Sequence, residues 1–450
     1  MVNVRRNIEQ HLLDWKGEAY PKPLLLRGAR QVGKTYSVRK LGATFSSYLE
    51  VNFLEQPELA RFFQSGSLEP MRIKEKLETY FGKSISIGNT LLFFDEAQAC
   101  PEALSSLRFF YEKVPGLHIV AAGSLLEFTL AEIPSFGVGR TQSLFLYPVS
   151  VGEFFVASGN ARLLDRINEA FVSESLDPVL HKKAVDLLRT YSMIGGFPEV
   201  VSTYLESHDL LRCMAVLESL VLSYEDDFAK YKKRANVLKL RDVLRSVARQ
   251  AGHKFVFSHV NPGGSTFGYD TALELLRLAG LVYRVQHSSG NGMPLGAETN
   301  HAKFKIIPAD VGMYNRLCGL DLSKLVLADD MAWVHSGALA EVLVGTELVA
   351  GTPASQRAEL YYWSREARGS NAEVDYLIAQ DSTIYPIEVK AGTKGQMQSL
   401  YRFIAEKKLS CGIRASLENF SSFRGPGGEL VRVLPIYAMS SFCNCSPLIA

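Results

Sequence analysis

The sequence predicts an α/β protein with a parallel sheet at its N-terminal end, a helical middle and a second α/β unit at its C-terminal end. Three observations support this fold class. Short, continuously apolar runs alternate with helical stretches over residues 1–150, which is typical of parallel strands buried on both faces. Helical patterns dominate the next segment, and strand-like runs return after residue 330. A chain of 450 residues is long enough for several domains.

The composition is typical of a globular protein without a strong overall charge. Hydrophobic residues make up 47% of the chain and charged residues 21%, and the formal net charge is +2. Any nucleic-acid-binding surface must therefore be local. The six cysteines show no CxxC spacing, which argues against a disulfide scaffold or a zinc site. The sequence has neither a membrane-length apolar run nor an N-terminal secretion signal, so we expect a cytoplasmic protein without a membrane segment.

Five apolar runs are predicted to form the sheet of an N-terminal domain over residues 1–150. In chain order they are "PLLLRG", "YLEVNF", "NTLLFFDEAQ", "LHIVAAGS" and "TQSLFLYP". Their leucine, aromatic and β-branched content suits buried strands. Residues 68–83 and 101–114 are long enough to form helices that cross between parallel strands.

The stretch "GARQVGKT" (residues 28–35), which we call the phosphate loop, follows the first strand. Gly28 and Gly33 would let backbone N–H groups point at phosphate oxygens. Lys34 would bring positive charge to the β- and γ-phosphates, and the Thr35 hydroxyl would bind Mg²⁺. Arg30 is expected to pack or form a salt bridge rather than catalyse. A structural glycine turn is the alternative to an ATP and Mg²⁺ site, whose predicted residues are Gly28, Ala29, Arg30, Gln31, Val32, Gly33, Lys34, Thr35 and Tyr36.

Further catalytic candidates follow later strands of the same sheet. Asp95 ends the run "TLLFFDEAQ", at the strand end where such sheets bind ligands. It is predicted to hold Mg²⁺ through water, and Glu96 to orient the attacking water; an acidic helix cap is the alternative. Ser124 in "VAAGS" would sense the γ-phosphate or merely end a strand. Arg140 in "GVGRTQ" could reach a nucleotide, in its own chain or a neighbouring subunit, or be an exposed surface arginine.

The middle of the chain is predicted to be a helical lid over residues 151–225 and a winged-helix-like segment over residues 226–325. "GGFPEVV" marks a turn between lid helices. Helical runs, then "LVYRVQ" and the glycine-rich "SSGNGMP", are typical of a winged helix-turn-helix. After "KIIPAD" a helix opens, so Asp310 is expected to cap it.

A basic segment within this region suggests DNA as a partner. Residues 229–254 hold nine Lys or Arg and one Asp. Arg241, Arg245 and Arg249 recur every four residues and would share one helix face. Contact with nucleic acid is one interpretation; a solvated basic face on a packing module is the other.

The last unit, residues 326–450, is predicted to be α/β with a second candidate metal site. Strand-like "AEVDYLIAQ" and "TIYPIEVKA" carry Asp375, Glu388 and Lys390, whose side chains would share one face. Two carboxylates on adjacent strands suit Mg²⁺ or Mn²⁺, and Lys390 could stabilise a phosphodiester transition state. Glu341, or Glu347, on the preceding helix could complete the site. A buried ion-pair network is the alternative.

The two ends of the chain together resemble a known family. Through "LLLRGARQVGKT", "TLLFFDEAQ", "VAAGSLLEF" and "GGFPEV", the N-terminal part resembles the AAA+ class of P-loop ATPases, in a prokaryotic branch paired with a C-terminal domain of unknown function. Through "YYWSREARGSNAEVDYLIA" and "PIEVKAG", the C-terminal part resembles the PD-(D/E)xK restriction-endonuclease-like fold. Ser124 stands where many relatives have asparagine, and Val374 stands where the nuclease motif has proline.

This resemblance implies ATP binding and a winged-helix segment, and it suggests nuclease activity. The sequence therefore predicts Mg²⁺-dependent ATP hydrolysis coupled to DNA binding or processing by the C-terminal half. The alternative is a nucleotide-operated switch whose inactive nuclease-like domain binds only protein or DNA. A homo-oligomer is compatible with both functions.

Overall fold

The computed structural model describes residues 4–64, 68–133, 139–231, 234–319, 337–367, 370–380, 382–392 and 396–443. Lys232 and Lys233 of the basic segment, and the predicted boundary between residues 325 and 326, lie outside these ranges.

The N-terminal unit contains a five-stranded parallel sheet within the described residues, with strand order β2-β3-β4-β1-β5. All five predicted strands are confirmed, and every residue of β3 and β4 is buried. Burial on both faces is the reason that these runs are continuously apolar. The strands are β1 Leu24–Arg27, β2 Ser47–Asn52, β3 Thr90–Asp95, β4 His118–Ala122 and β5 Gln142–Phe145.

Two hydrophobic cores lie on opposite faces of this sheet because neighbouring residues of a strand point to opposite sides. Leu24 and Leu26 belong to one core, and Leu25, between them, belongs to the other. The crossover helices predicted at 68–83 and 101–114 are confirmed as α4 and α5. The helices of this unit are α1 Ile8–Lys16, α2 Lys34–Gly42, α3 Arg61–Gln64, α4 Pro70–Phe81, α5 Pro101–Lys113 and α6 Leu126–Glu132.

The next segment is helical, as predicted. Ser150 and Glu153 form a reciprocal capping box at the start of α7, which satisfies otherwise unpaired N–H groups. Gly195, with φ +76°, separates α9 from α10 at the predicted "GGFPEVV" turn. The helices are α7 Val151–Ala157, α8 Ala161–Ser173, α9 Pro178–Ile194, α10 Pro198–Ser207 and α11 Leu210–Asp227.

In its described residues, the predicted winged-helix region contains two α-helices, an antiparallel hairpin and a further α-helix. Asp310 accepts hydrogen bonds from Met313 N (2.8 Å) and from Gly196 N (2.6 Å). Its predicted role as a helix cap is therefore confirmed, and it also ties α14 to the turn before α10. The elements are α12 Val237–Gln250, α13 Tyr269–Leu278, β6 Val282–Ser288, β7 Thr299–Pro308 and α14 Val311–Leu317.

The hairpin differs from a free wing because it forms one edge of the C-terminal sheet. Strand β6 pairs in parallel with β8, and the described strands form the order β12-β13-β11-β10-β9-β8-β6-β7. The boundary predicted at 325/326 therefore divides one continuous sheet. The local hairpin pattern contained no information about this pairing, which joins strands about 75 residues apart. The C-terminal elements are α15 Gly337–Ala350, β8 Leu360–Ala367, β9 Ser370–Gln380, β10 Thr383–Val389, α16 Gln398–Lys407, β11 Cys411–Ser416, β12 Ser421–Arg424, β13 Leu430–Pro435 and α17 Met439–Phe442.

One hydrophobic core continues through all of these units. It contains Leu26 of the N-terminal sheet, Leu217 of the lid, Leu240 of α12 and Tyr376 of the C-terminal sheet. Across the described ranges, the helices are too short or too polar to cross a membrane.

Candidate active site

A cleft of about 800 Å³ opens at the carboxyl ends of β1, β3 and β4. Parallel strands end at one edge of a sheet, so side chains that follow different strands meet there. Helix α10 closes the opposite side with residues such as Pro198 and Ser202. The predicted residues that line this cleft are Arg30, Gln31, Gly33, Lys34, Thr35, Tyr36, Asp95, Glu96 and Ser124.

The phosphate loop has the backbone that its glycines predict. Gly28 has φ +143°, and a Cβ there would lie 2.1 Å from the Leu146 carbonyl oxygen, so no larger residue fits. Gly33 has φ +97° and directly precedes α2. Gly28 and Ala29 line a second cavity behind the loop, and Val32 is fully buried.

Lys34 lies at the base of the loop in a desolvated position. Its Nζ donates hydrogen bonds to the carbonyl oxygens of Gly28 (2.9 Å) and Ala29 (2.6 Å). Burial disfavours the charged ammonium and lowers the pKa of Lys34 to about 8, although Glu96 and Asp95 oppose that shift. The negative charge of a bound polyphosphate would stabilise the charged form of this poorly solvated ammonium.

Thr35 and Asp95 form a pair that fits Mg²⁺. The Thr35 Oγ1 lies 3.1 and 3.3 Å from the two carboxylate oxygens of Asp95. Burial raises the pKa of Asp95 to about 6, with a further contribution from the charge of Glu96. A buried carboxylate beside a hydroxyl is an oxygen donor set that a hard cation prefers, and the cation would restore the charged form of Asp95.

Glu96 is held by side chains from two loops. Its backbone is left-handed, with φ +50°. Ser124 Oγ donates to Glu96 Oε2 (3.1 Å), and Gln98 Nε2 donates to the same oxygen. The predicted base and the predicted sensor are therefore in direct contact. Gln98 is not among the predicted site residues, although it ends the "DEAQ" of the strand motif.

Arg140 lies apart from the cleft in its own chain. Its side chain is half exposed, and its Nε donates to Glu112 at 3.0 Å. It is not among the residues that line the cleft. Contact from a neighbouring subunit stays a prediction.

Two contributions to the cleft come from segments whose sequence patterns did not indicate them. Arg6 is buried, donates to the Val32 carbonyl oxygen (2.9 Å) and pairs with Glu153 (3.1 Å). It therefore connects the N-terminal segment to the phosphate loop. The wall formed by α10 begins inside "GGFPEV", a pattern that predicted only a turn between helices.

The candidate metal site of the C-terminal unit is organised around a lysine that the sequence patterns did not reveal. Lys305 of β7 is fully buried, and its Nζ lies 2.8 Å from Glu341, 2.5 Å from Glu373 and 3.6 Å from Asp375. Burial alone would lower the pKa of Lys305, but these carboxylates more than offset it and raise that pKa. The Lys305 ammonium therefore supplies the positive charge that faces these three carboxylates.

The other predicted members of this cluster are also engaged within the protein. Asp375 Oδ2 accepts a hydrogen bond from Val389 N (2.8 Å), and Lys390 Nζ pairs with Glu388 (2.7 Å). Burial raises the pKa of Glu388 to about 7. Glu347 instead accepts from Val151 N at the start of α7. Within the described chain, no group of three or more His, Cys, Asp or Glu is arranged to hold a metal ion.

The arginine face predicted on α12 is present but partly neutralised. Arg241 and Arg245 each lie 3.3 Å from the carboxylate of Glu225, and Arg249 donates to the Val260 carbonyl oxygen (3.4 Å). Arg245 is nevertheless 61% exposed, so its charge is accessible to a partner.

Three family models match successive parts of the chain. An AAA domain matches residues 20–155, which include the five-stranded sheet and the cleft residues from Arg30 to Ser124. A domain of unknown function, DUF8612, matches residues 185–324. Another, DUF4143, matches residues 336–438. These two matches give no function, so the PD-(D/E)xK identity of the C-terminal unit stays a prediction. None of the curated proteins compared with the chain matches it significantly.

Solved structures with a similar arrangement include a Walker-type ATPase of Pyrococcus abyssi, at 19% identity and a TM-score of 0.45, covering 70% of this chain and 96% of that one. The ORC1 protein of Aeropyrum pernix in complex with DNA is 14% identical, with a TM-score of 0.28 and coverage of 72% and 95%. Drosophila ORC bound to DNA is 13% identical, with a TM-score of 0.26 and coverage of 71% and 88%.

The sheet, the phosphate loop and the family match define a P-loop ATPase domain of the AAA class over residues 20–155. The protein is accordingly an ATPase, and nucleotide is its substrate.

The shifted pKa values predict how nucleotide affinity depends on pH. Phosphate oxygens favour protonated Lys34 (pKa about 8), so affinity should fall as pH rises above about 8. Mg²⁺ favours ionised Asp95 (pKa about 6), so affinity should also fall below about pH 6. Each limb should approach about tenfold per pH unit. Titration calorimetry with Mg·ATP measures both limbs.

Lys34→Arg is the matched control, because arginine stays protonated across this range. The alkaline limb should flatten in this variant while the acid limb is retained. An unchanged alkaline limb would contradict the assignment to Lys34.

Proposed function

We propose that the chain is an ATP-driven switch, in which Mg·ATP binds in the cleft and its hydrolysis alters the packing of the middle segment and the C-terminal sheet. The hydrogen-bond network from Thr35 through Asp95 and Glu96 to Ser124, beside the Lys34 ammonium in the same cleft, is the observation that carries the proposal. Lys34 neutralises phosphate charge, and Thr35 and Asp95 hold Mg²⁺. Mg²⁺ supplies charge stabilisation to the phosphate oxygens.

In this proposal Glu96 orients the attacking water and accepts its proton. Ser124 and Gln98 keep its carboxylate in position through hydrogen bonds to one oxygen, Oε2. The other carboxylate oxygen is then available to water. Ser124 is adjacent to the base and so is suited to respond to the γ-phosphate. Arg140 would contribute only from a neighbouring subunit of a homo-oligomer.

A backbone contact behind the phosphate loop supports coupling to the rest of the chain. Gly280, which follows α13, has φ +74°, and a Cβ there would lie 3.1 Å from Ala29 Cβ and 3.2 Å from Ala29 Cα. The loop therefore rests on the connection between α13 and the hairpin, two residues before β6 begins at Val282. A shift of the loop on phosphate binding would press on α13 and on the edge of the C-terminal sheet.

DNA is the partner that the exposed arginines of α12 favour. Arg241, Arg245 and Arg249 form one face of a helix, and phosphodiester groups pair well with guanidinium. Glu225 lies against two of them, so DNA would compete with this internal acid for the arginines.

The C-terminal unit is best explained as a binding module whose acidic cluster is neutralised by Lys305. The ammonium lies within 4 Å of three carboxylates and supplies the charge that a divalent ion would otherwise provide. A nuclease is the second candidate, since Asp375 and Glu388 lie on adjacent strands and Glu388 Oε2 is buried without a hydrogen bond.

Two substitutions separate nucleotide binding from hydrolysis. Lys34→Ala should abolish ATP binding because it removes the charge that faces the phosphates. Glu96→Gln should keep binding but lower hydrolysis by about 10²-fold or more, because an amide does not accept the water proton. Calorimetry and phosphate-release kinetics measure the two effects. The assignment fails if Glu96→Gln loses ATP affinity as severely as Lys34→Ala does.

Replacing Arg241, Arg245 and Arg249 with alanine should weaken duplex DNA binding and flatten its salt dependence. The log–log slope should fall by about one unit for each phosphate group that no longer pairs with an arginine. Glu225→Gln is the matched opposite change: it removes the competing acid and should strengthen binding. Fluorescence anisotropy at several salt concentrations measures both variants. If neither variant changes the affinity or the slope, α12 is only a solvated basic face.

A neutralised cluster and a nuclease predict different behaviour. In the first, wild-type protein should not cut plasmid DNA with Mn²⁺, and Lys305→Ala should destabilise the fold by about 3 kcal/mol by leaving buried carboxylates unpaired. Lys390→Ala, at a more exposed position, is the control and should cost less. Cleavage by wild type that Glu388→Ala abolishes, with an unchanged melting curve, would favour the nuclease.

A further inference from the structure

Three arginines line the nucleotide cleft, and each of them pairs with a carboxylate. Arg6 is buried and holds Val32 and Glu153. Arg39 pairs through two hydrogen bonds with Glu50 of β2, within the nucleotide-binding domain. Arg30 differs, because it belongs to the phosphate loop itself.

Arg30 pairs with a residue outside the nucleotide-binding domain. Its guanidinium donates to Asp227 at the end of α11. The hydrogen bond to Asp227 raises the pKa of Arg30, and the charge of Glu96 contributes to the same shift. The guanidinium thus pairs with a carboxylate of α11, in the same cleft that Glu96 lines. Its side chain remains 37% exposed, so it can move within the cleft.

Asp227 does not depend on Arg30 alone. Lys230, one helical turn later, pairs with the same carboxylate at 2.7 Å. Burial opposes ionisation of Asp227, but the two cations lower its pKa. Asp227 would keep one ion pair if Arg30 left. The remaining pair with Lys230 keeps the Asp227 carboxylate compensated, which lowers the energetic cost of moving Arg30.

We propose that Arg30 is a nucleotide-state switch that leaves Asp227 for the γ-phosphate when ATP binds, and that it stabilises the transition state of hydrolysis. This inference rests on the proposed placement of ATP in the cleft. A triphosphate carries more negative charge than one carboxylate, and guanidinium matches phosphate oxygens with paired N–H donors. Arg30 would then place a positive charge beside the γ-phosphate from within the same chain. Arg140 of that chain does not line the cleft.

The reaction that Arg30 serves is attack by a water oxygen on the γ-phosphorus. The bond from that phosphorus to the bridging oxygen breaks, ADP keeps the bonding electron pair, and the water proton passes to Glu96. Negative charge spreads over the transferred group during this step. A guanidinium beside that group stabilises the transition state more than the ground state, so its effect falls on kcat.

The movement of Arg30 from Asp227 to the γ-phosphate would also change the contacts of α12, the helix that carries Arg241 and Arg245. Tyr224, in the last turn of α11, donates to the Arg30 carbonyl oxygen (2.7 Å). The next residue, Glu225, holds Arg241 and Arg245. When Arg30 leaves Asp227, this turn loses its ion pair to the phosphate loop, and the hold of Glu225 on α12 loosens.

Steady-state kinetics and hydrogen–deuterium exchange test the proposal on the full chain. Arg30→Ala should lower kcat by at least about 100-fold, because a donor to the transition state is removed, while ATP affinity changes by no more than about fivefold. Arg30→Lys should retain part of kcat, since it keeps the charge without the paired donors. Arg166→Ala, which removes an arginine from an exposed ion pair on α8, is the control and should match wild type.

Asp227→Asn tests the other half of the exchange. It should keep kcat at or above the wild-type value, because Arg30 is released toward the phosphate. Amides of residues 237–250 should exchange in this variant, without ATP, as fast as they do in ATP-bound wild type. In Arg30→Ala, ATP should no longer change their exchange.

Several outcomes would overturn the proposal. They are an Arg30→Ala variant that folds and keeps wild-type kcat, a loss confined to KM, and an Asp227→Asn variant as inactive as Arg30→Ala. Melting curves show which variants are folded. If Arg30→Ala is not folded, the kcat values of Arg30→Lys and Asp227→Asn test the proposal instead. Wild-type protein that bound no ATP would instead refute the placement of the nucleotide, so the two failures are distinguishable.

Discussion

The order of the five parallel strands determines where the functional groups of this protein lie. Strand β1 pairs with β4, and β4 pairs with β3, so the segments that follow these three strands meet at one edge. The phosphate loop, Asp95 with Glu96, and Ser124 come from those segments. Strand β5, on the other side of β1, leads to Leu146, whose carbonyl oxygen leaves room only for a glycine at position 28. Packing of the sheet thereby fixes the loop.

Buried charge imposes a second constraint, on the helix α15. Its residues 339–349 are buried in an unbroken run, yet two of them are glutamates. Glu341 faces Lys305 at 2.8 Å, and Glu347 accepts from Val151 N at 3.0 Å. Burial raises the pKa of each glutamate to about 7. Each buried acid is therefore compensated, one by an ammonium and one by a helix N-terminus.

Features set by neighbouring residues could be predicted from the sequence, and features set by distant pairing could not. The five strands, the glycines of the loop and the cap at Asp310 follow from patterns within about ten residues. Lys305 is the first residue of "KIIPAD", where the local pattern indicates only a strand end before a helix, and only the fold brings it to Glu341 and Asp375. In the same way, the α12 arginines formed the predicted face, but Glu225 reaches them from another helix.

The sharing of one core limits how ATP can act on the rest of the chain. Leu26, Leu217, Leu240 and Tyr376 belong to the same continuous hydrophobic cluster, so a large rotation of one unit against another would expose much apolar surface. Smaller changes at polar junctions cost far less. The phosphate loop has two such junctions with the middle of the chain, one with Tyr224 and Asp227 on α11 and one with Gly280 after α13. The packing therefore favours a signal carried by side-chain exchange and helix-end shifts, within units that stay assembled.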